Sequence, residues 1–376
     1  MTKTAVLVTD RQLLPARRGN VIRIVGMLRS LRALGWRVVL ICLSSAGSDD
    51  ALREEADEIF RVRARAFDGG EVAAFDSRPF QSAVEWVVAA RRPQLVITEY
   101  AWLAPALTRL RTVKRVVDCH DVLHQRTSRF DAAGLDPWVR CTPGQERALL
   151  RHADLLLTGQ NDDRDILRAL LPSTPVTCVF PRIDAVMGPS APRTNTRVLA
   201  VGAFHAGNDG IPRFAAHAWP AVIGAVPGAR LDVVGSVRAG APGPGVAFVG
   251  EVDDLSDWYR SAAVVVCPVE VGSGVKIKMI EALRYGKAVV ATSAAVEGLP
   301  PANEPAWVEA RTIDECAEAT ASLLSRPDDR VALELRAQAY AARHFSPESI
   351  GRDLDAALAS SRRAHWLLTR AATAMR

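Results

Sequence analysis

Pro268-Val-Glu-Val-Gly-Ser-Gly-Val-Lys-Ile-Lys-Met-Ile-Glu281-Ala-Leu-Arg-Tyr-Gly286-Lys-Ala-Val-Val-Ala-Thr292 reads as the end of a strand, a glycine turn, a helix and a second strand. The apolar run Ala263–Pro268 forms the first strand, Gly272 and Gly274 permit a tight turn with exposed amides, a helix runs from about Val275 to Tyr285, and Ala288–Thr292 forms the next strand. Strand, crossover helix and strand make one unit of a parallel sheet. A helix N-terminus offers unpaired N–H groups and about half a positive charge, which suits a phosphate. Lys276 and Lys278 sit in that first turn, where the helix dipole disfavours cations by ~0.3–1 kcal/mol each. Two lysines there suggest a bound anion that offsets the cost, since hydrogen bonds to charged groups contribute ~1.5–3 kcal/mol each. Glu281, one turn further in, is a carboxylate near the same mouth and can hold the paired hydroxyls of a ribose. A plainer reading stands beside this one. Lys278 and Glu281, three apart, can form a surface pair contributing only ~0.2–0.5 kcal/mol, with the glycines serving a turn and nothing more.

The same alternation continues outward in both directions. Upstream within the second half lie the strands Arg197–Val201, Leu231–Val234 and Val246–Val249, with helices near Ile211–Ala225 and Leu255–Ser261. In the first half the strand candidates are Thr4–Thr9, Arg37–Leu43, Gln94–Thr98, Arg115–Cys119, Asp154–Thr158 and Val176–Phe180. Val21–Leu34 carries apolar residues at helical spacing and stops at Gly35. The expected fold class is therefore α/β, with two tandem Rossmann-like parallel-sheet domains. Residues 1–186 form the first and 197–345 the second, joined by a Pro- and Ser-rich linker over 187–196. Residues 346–376 form a helical tail. Open parallel sheets place ligands at the carboxyl ends of their strands, so a cleft between the two domains is the expected site.

Composition bounds the rest. A chain of 376 residues with 49% apolar content can build two packed cores, which excludes disorder and small disulfide scaffolds. The longest apolar stretches run to about six residues, far short of the ~18 that span a bilayer. Nothing at the N-terminus reads as a secretion signal, and six scattered cysteines without a C-x-x-C pair fit reduced thiols, so a cytoplasmic location is expected. The net charge of +5 lies wholly in the first half, with 27 Lys+Arg against 22 Asp+Glu up to Asp184. No nucleic-acid-binding signature accompanies it. Contact with an anionic lipid surface at the inner face of a membrane is an option, through that half or through the basic tail Ser360–Arg376.

At this point the sequence resembles the retaining, nucleotide-sugar-dependent glycosyltransferases of family four, or group one, which have the GT-B fold. Glu281-Ala-Leu-Arg-Tyr-Gly286-Lys-Ala-Val-Val-Ala-Thr292 is similar to that family's closing motif. The likeness extends to Phe248-Val-Gly250-Glu-Val-Asp-Asp254, Ala229-Arg-Leu-Asp-Val-Val-Gly235, Val198-Leu-Ala-Val-Gly202, the loop Pro15–Arg23, Val117-Asp-Cys-His120-Asp121 and Val179-Phe-Pro181-Arg-Ile-Asp184. It thus covers nearly the whole chain. The resemblance implies transfer of a sugar from a UDP- or GDP-sugar co-substrate to an acceptor hydroxyl, on a saccharide, a lipid-linked saccharide or a small molecule. No other cofactor and no metal is implied, and the last helix crosses back onto the first domain.

Carried onto this chain, the resemblance implies His120, Asp121 and Lys276 as catalytic. Gly19, Asn20, Gly202, Arg213, Gly272, Ser273, Gly274, Val275, Lys278 and Glu281 are implied at the donor, and Arg23, Glu99 and Tyr100 at the acceptor. Asn20 has a second reading as a helix N-cap. Asp162, Asp163 and Asp165, with Asp353 and Asp355, read as helix-start and helix-surface carboxylates and not as metal ligands. Two departures bear on mechanism. The family's first glutamate would stand at position 273, where this chain has Ser273, leaving Ser273, its loop amides or Glu270 to meet the donor sugar. The usual cation after the opening glycine of the second half is absent, and Arg213 is the first that follows Gly202. Two alternatives to transfer remain open: a nucleotide-sugar epimerase of the same fold, and a catalytically idle binding module.

Overall fold

The computed structural model describes residues 3–45, 48–185, 192–203, 205–237 and 242–360. The first half of the 187–196 linker and nearly all of the basic tail lie outside the described residues.

The first half builds β1 (Thr4–Val8), β2 (Arg37–Leu43), β3 (Glu58–Val62), β4 (Gly70–Glu71), β5 (Leu95–Glu99), β6 (Lys114–Cys119), β7 (Val139–Arg140), β8 (Leu155–Thr158) and β9 (Val176–Cys178). Seven of these form one parallel sheet in the order β3-β2-β1-β5-β6-β8-β9, and β4 pairs with β7 apart from it. The second half builds β10 (Arg197–Val201), β11 (Arg230–Val234), β12 (Val246–Gly250), β13 (Val264–Cys267), β14 (Ala288–Thr292) and β15 (Val308–Ala310), in the order β12-β11-β10-β13-β14-β15, again all parallel. In each sheet the order reverses beside the first strand of that half, which opens a crevice at the strand ends. The central strands are covered on both faces, so Ala5–Val8, Val38–Ile41 and Val264–Val266 read as unbroken apolar runs and are buried.

Most elements lie where the periodicity puts them, with informative differences. The strands β3 and β15 carry no long apolar run because they are sheet edges. The second-half helix expected over Ile211–Ala225 is broken by a π-helical turn at Phe214–Ala218. The helix after the glycine turn starts at Ile277, two residues later than expected, with Lys276 in the N-cap position. The helices Pro327–Phe345 and Pro347–Ala359 end the described chain, and the second returns to the first domain. There Ile350 and Leu354 meet Gly26 and Met27 of the Gly19–Ala33 helix, and Lys114 donates to the Ala357 and Leu358 carbonyls at its C-terminus. No helix among the described residues is long and apolar enough to cross a membrane.

Candidate active site

Between the two sheets runs a cleft of about 880 Å³, lined from both domains. Its second-domain wall is the glycine turn. Gly274 takes φ +66°, a conformation that suits glycine, and a Cβ there would collide with Asp121 Oδ1 of the opposite domain. Gly19, at the start of the first-domain helix, is just as confined, since a Cβ there would lie 2.9 Å from Ile277 Cγ1. Both glycines thus serve the close approach of the two halves.

The charged groups around the turn are held out of water. Lys276 is buried, its Nζ donating to the Gly274 carbonyl at 3.0 Å with Glu297 Oε2 at 3.7 Å, and burial pulls its pKa down. Lys278 donates to Asn208 Oδ1 at 2.6 Å, and burial pulls its pKa down as well. Glu281 accepts from the Tyr259 hydroxyl at 3.2 Å, and burial pushes its carboxyl up to about 7. Each of these groups carries a desolvation cost that a ligand of complementary charge or hydrogen-bonding capacity would relieve.

Across the cleft, His120 follows β6. Its Nε2 lies 2.7 Å from Glu99 Oε2 at the end of β5, and burial pushes the imidazole down to about 4 while holding Glu99 well above the usual carboxylate range. At neutral pH the imidazole itself is therefore uncharged. Arg23 anchors the floor beneath them, its guanidinium forked onto both oxygens of Asp118 at 2.8 and 2.6 Å and donating to the Val179 carbonyl at 2.9 Å. Glu99, Asp118 and His120 converge as metal ligands would. Arg23 already occupies both Asp118 oxygens, and its charge opposes a cation there.

The structure therefore places the acceptor candidates differently from one another. Arg23 and Glu99 lie behind His120 as its supports, whereas Tyr100 stacks on the His120 ring, centroids 3.9 Å apart. Asn20 is the second residue of its helix, with Arg18 in the N-cap position. Gly202, Gly272, Ser273 and Val275 line the cleft. Arg213 is a correction: it is exposed, outside the cleft lining, and its guanidinium is taken up by the Glu270 carboxylate. Asp163 is buried in the first turn of the Asn161–Leu170 helix and pushed up to about 7 by burial, while Asp162 and Asp165 are exposed and do not converge with it.

Two residues that matter here escaped the sequence reading. The helix Leu123–Ala132 carries Arg126 and Arg129 on one face. Arg126 reaches Asp121 Oδ2 at 3.2 Å, Ser273 Oγ at 3.3 Å and the His205 Nε2; Arg129 reaches the Gly272 carbonyl at 3.3 Å and Glu297 at 2.8 Å. Both cross from the first domain to the glycine turn of the second. Their i, i+3 spacing directly after the His120-Asp121 strand was the available signal. Arg126 also brings a cation to His205, close to the place after Gly202 where the resemblance leads one to expect a charge.

A family model described as "Glycosyl transferase 4-like domain" matches residues 18–182, and one described as "Glycosyl transferases group 1" matches residues 195–326. Together they span more than three quarters of the chain. The chain belongs to the group 1 glycosyltransferases. Solved structures similar to this glycosyltransferase include sucrose-phosphate synthase from Thermosynechococcus elongatus (17% identity, TM-score 0.72, all of both chains). The Anabaena protein HepE, solved with UDP and glucose, has 14% identity and a TM-score of 0.71 over 96% of this chain and 100% of its own. A variant of TarM from S. aureus, solved with fondaparinux, α-GlcNAc-glycerol and UDP, has 10% identity and a TM-score of 0.73 over 95% of this chain and 100% of its own. At these identities the likeness establishes the GT-B fold of the glycosyltransferase. No curated protein sequence matches it.

Proposed function

We propose that this glycosyltransferase moves a sugar from a nucleoside diphosphate to an acceptor hydroxyl with retention of configuration. The observation that carries the reading is the pair of desolvated lysines at the glycine turn, facing the uncharged His120 across a cleft of suitable size. The diphosphate lies on the 272–276 loop with Lys276, Lys278 closes on it from the second domain, and Glu281 holds the ribose hydroxyls. HepE and TarM were solved with UDP, which favours a nucleotide-sugar donor of that kind.

In the reaction the bond from the sugar's anomeric carbon to the diphosphate oxygen breaks, and a bond to the acceptor oxygen forms. Charge grows on the leaving diphosphate, where fixed amides and Lys276 stabilise it. The acceptor's proton needs a destination. An imidazole held near 4 is a weak base at neutral pH, and Asp121 is tied to Arg126, so neither suits a base on the far face of the sugar. The departing diphosphate oxygen takes the proton on its own face, which retains configuration. Lys276→Ala is expected to lower turnover ~100–1000-fold with folding intact, and near-normal turnover refutes the assignment. A thermal-shift series over UDP-, GDP- and ADP-sugars identifies the base.

A further inference from the structure

Two cleft residues have a strained backbone, and both lie on the first-domain side. Tyr100 has φ +72° and Trp138 φ +64°. For bulky side chains this left-handed region is costly and points to function when surrounding structure enforces it. Here it does. Trp138 is pinned by its carbonyl, which accepts from Gly70 N at 2.7 Å, and by its own N–H, which donates to Asp136 at 3.0 Å. The β4–β7 pairing next to it holds the same loop. Tyr100 is fixed by stacking on both sides, with His120 at 3.9 Å and Trp102 at 4.0 Å between ring centroids.

The two strained residues belong to one aromatic array. Trp138 meets Trp102 edge-on at 6.1 Å and Phe67 at 5.4 Å, and the Arg11 guanidinium lies over the Trp102 and Trp138 rings at 5.5 and 6.0 Å. Most members are buried. Trp138 alone of the tryptophans in the array is half-exposed, and its cleft neighbours Asp68 and Arg11 put a carboxylate and a guanidinium beside it. Asp68 makes no hydrogen bond or salt bridge among the described residues, so its oxygens are open to a ligand.

We propose that this wall is the acceptor subsite and that it takes a pyranose ring, stacked on Trp138 with its hydroxyl edge toward Asp68. The proposal rests on the transfer reading above and narrows its acceptor to a saccharide. The chemistry selects the occupant: a pyranose has an apolar C–H face that fits an aromatic ring, and an edge of hydroxyls that donate to a carboxylate. Arg11 is already forked onto Asp10 and donates to the Phe67 carbonyl, so the group left to choose the occupant is the exposed Asp68 carboxylate, to which a sugar hydroxyl can donate and an alkyl chain cannot. Trp138, Trp102, Tyr100 and His120 all line the same cleft, so a sugar on the tryptophan lies on the same wall as His120.

The test titrates the full chain with methyl α-glucoside and maltose, and in a parallel arm with 1-octanol, with and without saturating UDP. Saturation transfer to probe C–H protons is the readout. Trp138→Gly suits the φ of +64°, so the fold should tolerate it. Pyranoside signals are expected in the wild type, to fall about fivefold or more in Trp138→Gly and to persist in Trp138→Phe, in line with the usual strength of aromatic contacts. UDP affinity by calorimetry should stay within about twofold. The proposal is overturned by pyranoside signals equal in wild type and Trp138→Gly, by their absence from the wild type, or by an octanol signal alone that the variant loses. Failure of UDP to bind the wild type refutes the donor reading, while the arm without nucleotide still decides the wall.

Discussion

Glu281 has one hydrogen-bond donor, the Tyr259 hydroxyl, and burial pushes its carboxyl up to about 7. A carboxyl raised above its unfolded value near 4.5 contributes stability fully present below that value and lost as pH rises through about 7. Glu281→Gln keeps the shape and removes the titration. Its melting temperature, measured without ligand, is therefore expected to exceed the wild type's at pH 8 and to converge with it near pH 5. An equal difference at both pH values would show that Glu281 does not titrate from a buried site. If Glu281 holds the ribose, the same variant binds UDP roughly tenfold more weakly at pH 8, the scale of a charged hydrogen bond. Lys276, Lys278 and Glu281 were legible because one strand, turn and helix carries all three within six positions. Arg126 and Arg129 were not. Their partners Ser273 and Glu297 lie 147 and 168 positions away, and no local pattern announces a contact that exists only once two domains have met.

At the scale of the element, the glycine turn is a spacer between domains as well as a source of amides. Gly274→Ala puts a methyl group where Asp121 Oδ1 now lies, in a backbone region that costs a non-glycine residue ~1–2 kcal/mol. The expected outcome is a modest drop in melting temperature and a much larger drop in kcat/KM, since the turn must back away from His120. Comparable losses in both would make the turn structural only. The buried strands declared themselves in the sequence, because parallel strands covered on both faces are continuous apolar runs. The edge strand β3, where Glu58 pairs with Arg37 and Arg61 donates to the Leu43 carbonyl, hid for the opposite reason. The late start of the helix at Ile277 hid too, since Lys276 spends its side chain on the Gly274 carbonyl and not on a helical surface.

For the molecule as a whole, the alternation of strands and helices was enough to infer two tandem parallel sheets, and the family matches on residues 18–182 and 195–326 fall one on each. What alternation could not give was how the halves are tied. The last described helix supplies one tie by burying Leu354 against the first domain although it follows the second in sequence. Leu354→Ala is expected to cost ~2–5 kcal/mol, the range for a buried leucine, seen as a lower urea midpoint. An unchanged midpoint would mean that this helix is docked without contributing to stability.

The confinement of Gly19 against Ile277, and of Gly298 against the Gln160 side chain, has a bearing on how such enzymes can be rebuilt. Hybrids that join the front half of one homologue to the back half of another, cut at the connecting segment, would seat foreign side chains at contacts with no room for an added carbon. Recombination across this lineage should succeed only when the Leu123–Ala132 helix travels with the loop it grips, so the heritable unit straddles the boundary that the chain's own order suggests.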